Sequence, residues 1–260
     1  MTKFNYFKNI ETKYKSNISS NKTLIIRLDG RNVCGNKNLN LLDETDGSLS
    51  DSMKKVAQYM SEEYNCIVYV GSDEINIIIR NPKIIINKYE SQETHKIASL
   101  ISQEVFLKFN SFYKGPTEIF FDARCFSIPN NKFLSYLKYR YKATINVLTV
   151  YFAKNKVPTI KRNVGMSLKN LDKKLRKYEE YNNRSIYQKE GLSYYSGIKY
   201  ETMNLINMFE KYENNNSDIK DNNEDINYNN VLNNIENNNI EIIKKAEDYI
   251  YDDNFYDDDI

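Results

Sequence analysis

Apolar positions along the first half of the chain follow a fixed succession of periods, and each period predicts an element. Phe4, Phe7, Ile10 and Tyr14 recur at helical spacing, so the first fifteen residues predict a short amphipathic helix. Lys22 to Leu28 is an apolar, β-branched run that predicts a strand running into Asp29, Gly30 and Arg31. Residues 30–47 are rich in Gly, Asn and Asp and predict a loop. Ser48 and Asp51 then resemble a capping box, opening a helix on which Leu49, Met53, Val56, Ala57, Met60 and Tyr64 share one face. The stretch from Cys66 to Ile79, CIVYVGSDEINIII, predicts strands at 66–70 and 74–80 about a Gly71-Ser72-Asp73 turn. Pro82 breaks the pattern, and IIINKYESQ predicts an irregular segment. A second helix follows, with Ile97, Ala98, Ile101, Val105, Phe109 and Phe112 on one face, stopped by Gly115-Pro116. Glu118 to Ile128 predicts a fourth strand, rich in aromatics.

The order β-α-β-β-α-β is that of the ferredoxin-like arrangement, a four-stranded antiparallel sheet with both helices on one face. The expected class is α+β. The palms of many nucleotide polymerases and nucleotidyl cyclases share this layout, although a fold by itself does not assign a function. Beyond Pro129 the pattern turns helical. Phe133, Leu134, Leu137, Tyr141, Ile145, Leu148 and Phe152 predict a helix over about 130–155, and Leu168, Leu171, Leu175 and Tyr178 another after Ser167. Half of residues 214–239 are asparagine, a composition that buries too little apolar surface to offset its ordering entropy. The expected organisation is a palm domain at 1–130 including the N-terminal helix, a C-terminal helical subdomain at 131–212, an Asn-rich linker at 213–240 and an acidic tail at 241–260.

Charge changes the picture by its distribution. The net charge is +2, yet residues 210–260 carry fifteen acidic side chains against four lysines, which leaves 33 basic against 20 acidic in the remainder. A basic body suits a phosphate-rich partner. Composition also excludes chemistries. With one histidine, His95, and three widely spaced cysteines, Cys34, Cys66 and Cys125, the usual zinc ligand sets are not expected, and a Ser-His-Asp triad would have to use a histidine on a polar helix. Unpaired cysteines, no apolar run able to span a bilayer and an N-terminus without the apolar centre of a signal peptide lead to the expectation of a cytoplasmic or other reduced intracellular setting.

Chemistry must then run on carboxylates, metals and basic groups. Asp29 ends one strand and Asp73 lies in the turn between two others. If these strands are neighbours, both carboxylates meet at one sheet edge and can share two divalent cations roughly 3.5–4 Å apart. Gly30 removes side-chain bulk there and offers its carbonyl as a further oxygen ligand. Arg31 and the amides that follow can take a triphosphate. Solvated turn aspartates are the plain alternative. Glu74 alternates away from Asp73 and either tunes the site or a neighbouring basic residue, or lies at an ordinary edge. Tyr136, Tyr139 and Tyr141 interleave with Lys138, Arg140 and Lys142, a pattern suited to nucleic-acid contact, though on a helix at least one of the three must face the core.

Taken in order, RLDGR, GSDEINIII, FFDARCFSIP and the helix that begins near Tyr136 resemble the tRNA(His) guanylyltransferase family, in particular its Thg1-like branch of 3′-5′ RNA polymerases. The resemblance runs from about Tyr6 to Gly191. It implies Mg²⁺-dependent addition of nucleotides to the 5′ end of tRNA, with GTP and ATP as substrates, two Mg²⁺ ions held by Asp29, Gly30 and Asp73, and a homotetramer. It further implies that Asp29, Gly30, Arg31, Asn32, Val33, Cys34, Ser72 and Asp73 lie along the nucleotide, and that Asp29, Asp73 and Glu74 serve catalysis. Arg27, Arg124, Arg140, Asn146 and Lys189 are candidates for phosphate or RNA contact. Several family positions differ. Thr144-Ile145-Asn146-Val147 stands where guanylylating members carry His-Ile-Asn-Asn, Cys34 replaces a histidine, and Asp43-Glu44 replaces Lys-Pro. Tyr181-Asn182-Asn183 and Lys189-Glu190-Gly191 keep part of two later motifs, with Glu180 and Glu190 as departures. These differences favour templated repair of truncated 5′ ends over guanylylation of tRNA(His). The alternatives are a palm-fold nucleotidyl cyclase or conventional polymerase, and a family member that binds RNA without catalysis.

Overall fold

In the computed structural model the described residues are 16–31, 33, 48–115, 118–156 and 168–215. The expected N-terminal helix, the loop at 34–47, Asn32, Cys34, Ser167, the Asn-rich linker from 216 on and the acidic tail lie outside them, while residues 213–215, expected in that linker, end the helix Thr202–Asn215. Of the described residues, those up to 207 belong to one compact unit and those from 208 on to a second.

Six strands make one antiparallel sheet. β1 is Thr23–Gly30, β2 Ile67–Gly71, β3 Glu74–Ile79, β4 Phe121–Ile128, β5 Leu192–Tyr195 and β6 Ile198–Tyr200. Their order is β4-β1-β3-β2-β5-β6. The first four stand as the ferredoxin-like reading requires, and β5 pairs with β2 in register Ile67↔Tyr195 to extend the sheet beyond the expected four strands. The segment past residue 130 is therefore not wholly helical. Its hairpin turns on Ser196 and Gly197, both with positive φ, as a two-residue loop matched to strand twist demands.

Strand alternation divides the sheet into two faces. Leu24, Ile26, Leu28, Val68, Val70, Ile75, Ile77 and Ile79 point to one face and form a single buried cluster with the helices α1 (Ser48–Glu63) and α3 (Thr94–Phe112). Met53, Val56 and Met60 of α1 and Ile97, Ile101 and Phe109 of α3 fill it. Each such aliphatic side chain contributes about 1.5–3 kcal/mol when fully buried. Phe112, expected on this face, is 36% exposed at the last turn of α3. The segment read as irregular is a helix, α2 (Lys83–Tyr89), set off by Pro82 at its N-terminus and anchored by fully buried Ile85; a seven-residue helix carries too few apolar repeats to show a period.

A 3₁₀ turn (Asn130–Lys132) leads into the long helix α4 (Phe133–Lys156), which lies on the opposite face over β2 and β3. Tyr136 donates its hydroxyl to Asn76 Oδ1 at 2.8 Å, and a Cβ on Gly71 would stand 2.7 Å from Thr144 Cγ2. Glycine at 71 thus lets the helix settle onto the strand. After α5 (Leu168–Leu175) and α6 (Glu179–Asn182), α7 (Ile186–Glu190) opens on a capping box in which Ser185 Oγ accepts from Gln188 N at 3.2 Å. α8 (Thr202–Asn215) carries the chain into the second unit. Among the described residues no helix is long and apolar enough to cross a membrane.

Candidate active site

β1 leaves the sheet at Gly30, and the hairpin between β2 and β3 turns beside it. In register, Asp29 faces Glu74 on β3 and Asp122 on β4. The Gly30 amide donates to the Asp73 carbonyl at 2.9 Å, which draws the two-residue turn Ser72-Asp73 to the end of β1. A Cβ on Gly30 would lie 2.8 Å from Val33 Cγ2 and 3.3 Å from Asp73 Cβ, so the close approach depends on glycine. Ser72 holds φ at 56°, its Oγ donates to Asp73 Oδ1 at 3.1 Å, and its carbonyl accepts from the buried Tyr187 hydroxyl at 2.6 Å. The turn is thus pinned from β1 on one side and from α7 on the other.

Electrostatics single out Asp29 at this edge. Burial pushes its carboxyl pKa up, the neighbouring Asp73 carboxylate adds to this and Glu74 less so, while Arg27 and Arg124 pull the other way. A carboxylate raised in this manner is a site that a cation would relieve. The donor set, two carboxylates with a backbone carbonyl, is all oxygen, as a hard ion such as Mg²⁺ requires, and Mg²⁺ is ordinarily held by one or two carboxylates with water and substrate phosphates completing its shell. Among the described residues no group of three or more His, Cys, Asp or Glu side chains could hold a metal ion. His95 is exposed, its Nε2 3.2 Å from Glu93.

Glu74 is not an edge residue. It is 6% exposed and sits in a closed network. Arg27 Nε donates to it at 2.6 Å, Asn76 Nδ2 at 2.6 Å and Arg140 Nε at 2.7 Å, with a second Arg140 bond to Oε2. The Arg27 guanidinium also reaches Asp29 Oδ2 at 3.1 Å. Arg27 and Arg140, expected as phosphate contacts, are instead turned inward onto this carboxylate, because a buried charge is tolerated only when paired. Their effect on the site runs through Glu74 and Asp29.

The other expected residues fall in three places. Arg31 is exposed, its Nε 3.8 Å from Asp122, and the buried Val33 lies against Gly30. Arg124 is exposed on the open face of β4. Lys189 is farther along: its Nζ donates to the Asn182 carbonyl at 2.6 Å, and it lines a cavity of about 380 Å³ with Ile145, Asp172, Arg176, Tyr181, Asn182 and Glu190. Asn146, half-buried on α4, is the neighbour of Ile145. Of the three interleaved tyrosines, Tyr136 is tied to Asn76 and Tyr141 to Glu190 Oε2 at 2.8 Å, leaving Tyr139 60% exposed. Sequence reasoning missed Tyr187, whose hydroxyl fixes the Ser72 turn; no local pattern marks a hydroxyl that bonds 115 positions away.

Residues 4–129 match the family model described as tRNAHis guanylyltransferase (Thg1). No curated protein matches the chain by sequence. Among solved structures, the chain is similar to a bacterial tRNA(His) guanylyltransferase (Thg1)-like protein in complex with ATP, at a TM-score of 0.57 and 21% identity, covering 75% of this chain and 88% of that one. The likeness extends to a bacterial Thg1-like protein in complex with GTP (TM-score 0.55, 20% identity, 73% and 82% covered). It extends also to tRNA(His) guanylyltransferase from Saccharomyces cerevisiae (TM-score 0.51, 19% identity, 76% and 95% covered). At these identities the structures speak for a shared palm-type fold. Residues 4–129 thus carry the pattern of the tRNAHis guanylyltransferase (Thg1) family, a family of nucleotidyltransferases.

Proposed function

We propose that this protein is a Mg²⁺-dependent nucleotidyltransferase that adds nucleotides to the 5′ end of tRNA in the 3′-to-5′ direction, acting foremost in templated repair of truncated 5′ ends. The observation that carries this reading is the bond from the Gly30 amide to the Asp73 carbonyl, which sets the carboxylates of Asp29 and Asp73 at one sheet edge. Burial first, and the neighbouring Asp73 carboxylate second, raise the pKa of Asp29, and a cation held between the two would relieve both effects.

In this reading the 3′-hydroxyl of an incoming nucleoside triphosphate attacks the α-phosphorus of a 5′-triphosphate end. A phosphodiester forms, the α–β anhydride breaks and pyrophosphate leaves, so the new end again carries a triphosphate. Asp29, Asp73 and the Gly30 carbonyl would hold two Mg²⁺ ions, which when bound supply charge neutralisation at the attacking and leaving oxygens. Arg27, held by Glu74, keeps the Asp29 carboxylate oriented toward that edge. Arg31, exposed beside Asp122, is free to swing toward the triphosphate. Such a reaction asks for positioning and charge compensation rather than for a proton-shuttling side chain, which suits a chain with one distant histidine.

Repair rather than guanylylation is favoured by Thr144. At the position where guanylylating relatives carry a histidine, this buried threonine packs against Gly71 and offers no titratable group. The test supplies a tRNA that lacks its first nucleotide and bears a 5′-triphosphate with Mg²⁺ and each nucleoside triphosphate in turn. Extension by the nucleotide complementary to the opposing base is the expected result; extension by guanosine whatever the opposing base would replace repair with guanylylation.

A further inference from the structure

β4 is an edge strand, and its α4-side face is open. Asp122, Arg124 and Phe126 alternate along that face, all exposed. Through the pairing of β1 with β4 they stand beside Asp29, Arg27 and Ile25 in that order. α4 covers β2 and β3, where Arg140 and Tyr136 reach Glu74 and Asn76, and stops short of covering β4. An exposed strip results, made of β4 and the end of β1 beside the first turns of α4. It starts at Asp29 and ends, about 13 Å along the strand at roughly 3.3 Å per residue, at Phe126.

The far end of this strip is aromatic. The Phe126 ring lies edge-on to Tyr136 with centroids 6.0 Å apart, and Tyr136 lies 6.4 Å from Tyr139. Phe126 is 38% exposed and Tyr139 60% exposed, while the Arg140 guanidinium lies 5.2 Å from the Tyr139 centroid and backs that ring. Between the aromatic end and the carboxylate end stands Arg124, which makes no hydrogen bond or ion pair with a described residue. Exposed rings next to an available guanidinium, in a body with 33 basic against 20 acidic residues over positions 1–209, form the combination that takes single-stranded nucleic acid: π-faces for bases and a cation for the backbone.

We infer that Phe126 and Tyr139 form a base-stacking subsite, with Arg124 on the adjoining phosphate, that holds an unpaired nucleotide of the RNA near its reacting end. This rests on the function proposed above and adds to it the place where the RNA lies: along β4, away from the Ser72-Asp73 turn. It also gives the departure from helical symmetry among the α4 tyrosines a use. Two of them are tied down by hydrogen bonds, and the third is left for ligand.

The test places 2-aminopurine, whose fluorescence falls on stacking, in turn at the 5′-terminal position and at the unpaired opposing position of a 5′-truncated tRNA. The full-length chain has no tryptophan to interfere. Wild type is expected to quench one of these probes on binding. Phe126→Leu with Tyr139→Leu, which keep apolar bulk and are checked for an unchanged thermal melt, are expected to abolish the quench and to weaken RNA binding by roughly 5- to 150-fold per base unstacked. Arg124→Ala is expected to reduce the salt dependence of binding by about one phosphate contact. Unchanged quench and affinity in the double variant would overturn the subsite. So would a fall in oligomer mass with no effect on RNA, which would make the β4 face an interface between copies. Quench by a wild-type protein that never extends the RNA would keep the subsite and reject the transferase reading, so the two fail separately.

Discussion

Arg140 of α4 grips Glu74 of β3 at both carboxylate oxygens, and so couples the helix laid over the open face to the strand beside Asp29. Both side chains are largely buried, at 13% and 9% exposure. Removing one partner of such a pair leaves a buried charge half compensated. Arg140→Met is therefore expected to lower unfolding free energy by about 3 kcal/mol, and Arg140→Lys, which keeps the charge but loses the two-point grip, by less. Urea unfolding of the two variants measures this. A loss below about 0.5 kcal/mol for Arg140→Met would mean that Arg27 and Asn76 suffice to hold Glu74.

Gly30 offers a more local probe. An alanine there meets Val33 and the Asp73 turn at distances that require something to shift. The Gly30→Ala variant is expected to lose about 1–3 kcal/mol through overpacking and to lose metal binding out of proportion, since the group displaced is a carboxylate-bearing turn. Isothermal titration with Mg²⁺ or Mn²⁺ on a variant that still melts cooperatively separates the two effects.

The raised pKa of Asp29 fixes the sign of a third expectation. With the folded value above the unfolded one, ionising this carboxyl costs folding free energy, so its contribution declines as pH rises from the unfolded value of about 3.8 through the folded one. Near neutrality and without metal, Asp29→Asn should melt at or above the wild-type temperature. Mg²⁺ should then raise the melting temperature of wild type, by mass action on the folded state, and leave that of Asp29→Asn unmoved. A wild-type melt indifferent to Mg²⁺ up to millimolar concentration would argue against a cation at this edge.

Glu104 on α3 gives the opposite pH signature, away from the site. Burial alone would raise its pKa, but the hydroxyls of Tyr64 and Tyr89, the Lys88 ammonium and the Tyr59 hydroxyl outweigh it and hold it below the ordinary 4.5. Tyr64 donates at 2.5 Å and Tyr59 at 3.1 Å. This stabilisation is present above the unfolded pKa and is lost as pH falls below 4.5 through the folded value. Glu104→Gln is expected to cost on the order of 1–2 kcal/mol at neutral pH and to flatten the acid limb of the stability curve. Parallel acid limbs for the two proteins would show the network to be inert.

The palm was legible because its elements are long and their periods differ. Leu24, Ile26 and Leu28 alternate, Met53, Val56 and Met60 do not, and the two patterns already separate strand from helix. Its topology followed from the order of those patterns. The hairpin at 192–200 escaped notice because runs of four and three residues carry no period, although Ser196-Gly197 is a turn signal in its own right. Ser185-Ile186-Tyr187-Gln188 spells a capping box, likewise readable in hindsight. At the site, Asp29 and Asp73 could be named from their places next to apolar runs. The roles of Arg27 and Arg140 could not, because a basic residue reads as solvent-facing until a buried carboxylate is found opposite it.

The central claim is tested most directly by following where the nucleotide goes. A 5′-truncated tRNA with a 5′-triphosphate, its 3′ end blocked by periodate oxidation, is incubated with Mg²⁺, the complementary nucleoside triphosphate and either wild type or Asp29→Ala. The account predicts a product one nucleotide longer at its 5′ end with release of pyrophosphate, and a loss of at least a hundredfold in rate for the variant. An unextended tRNA in the presence of tight RNA binding, or equal rates for the two proteins, would contradict it.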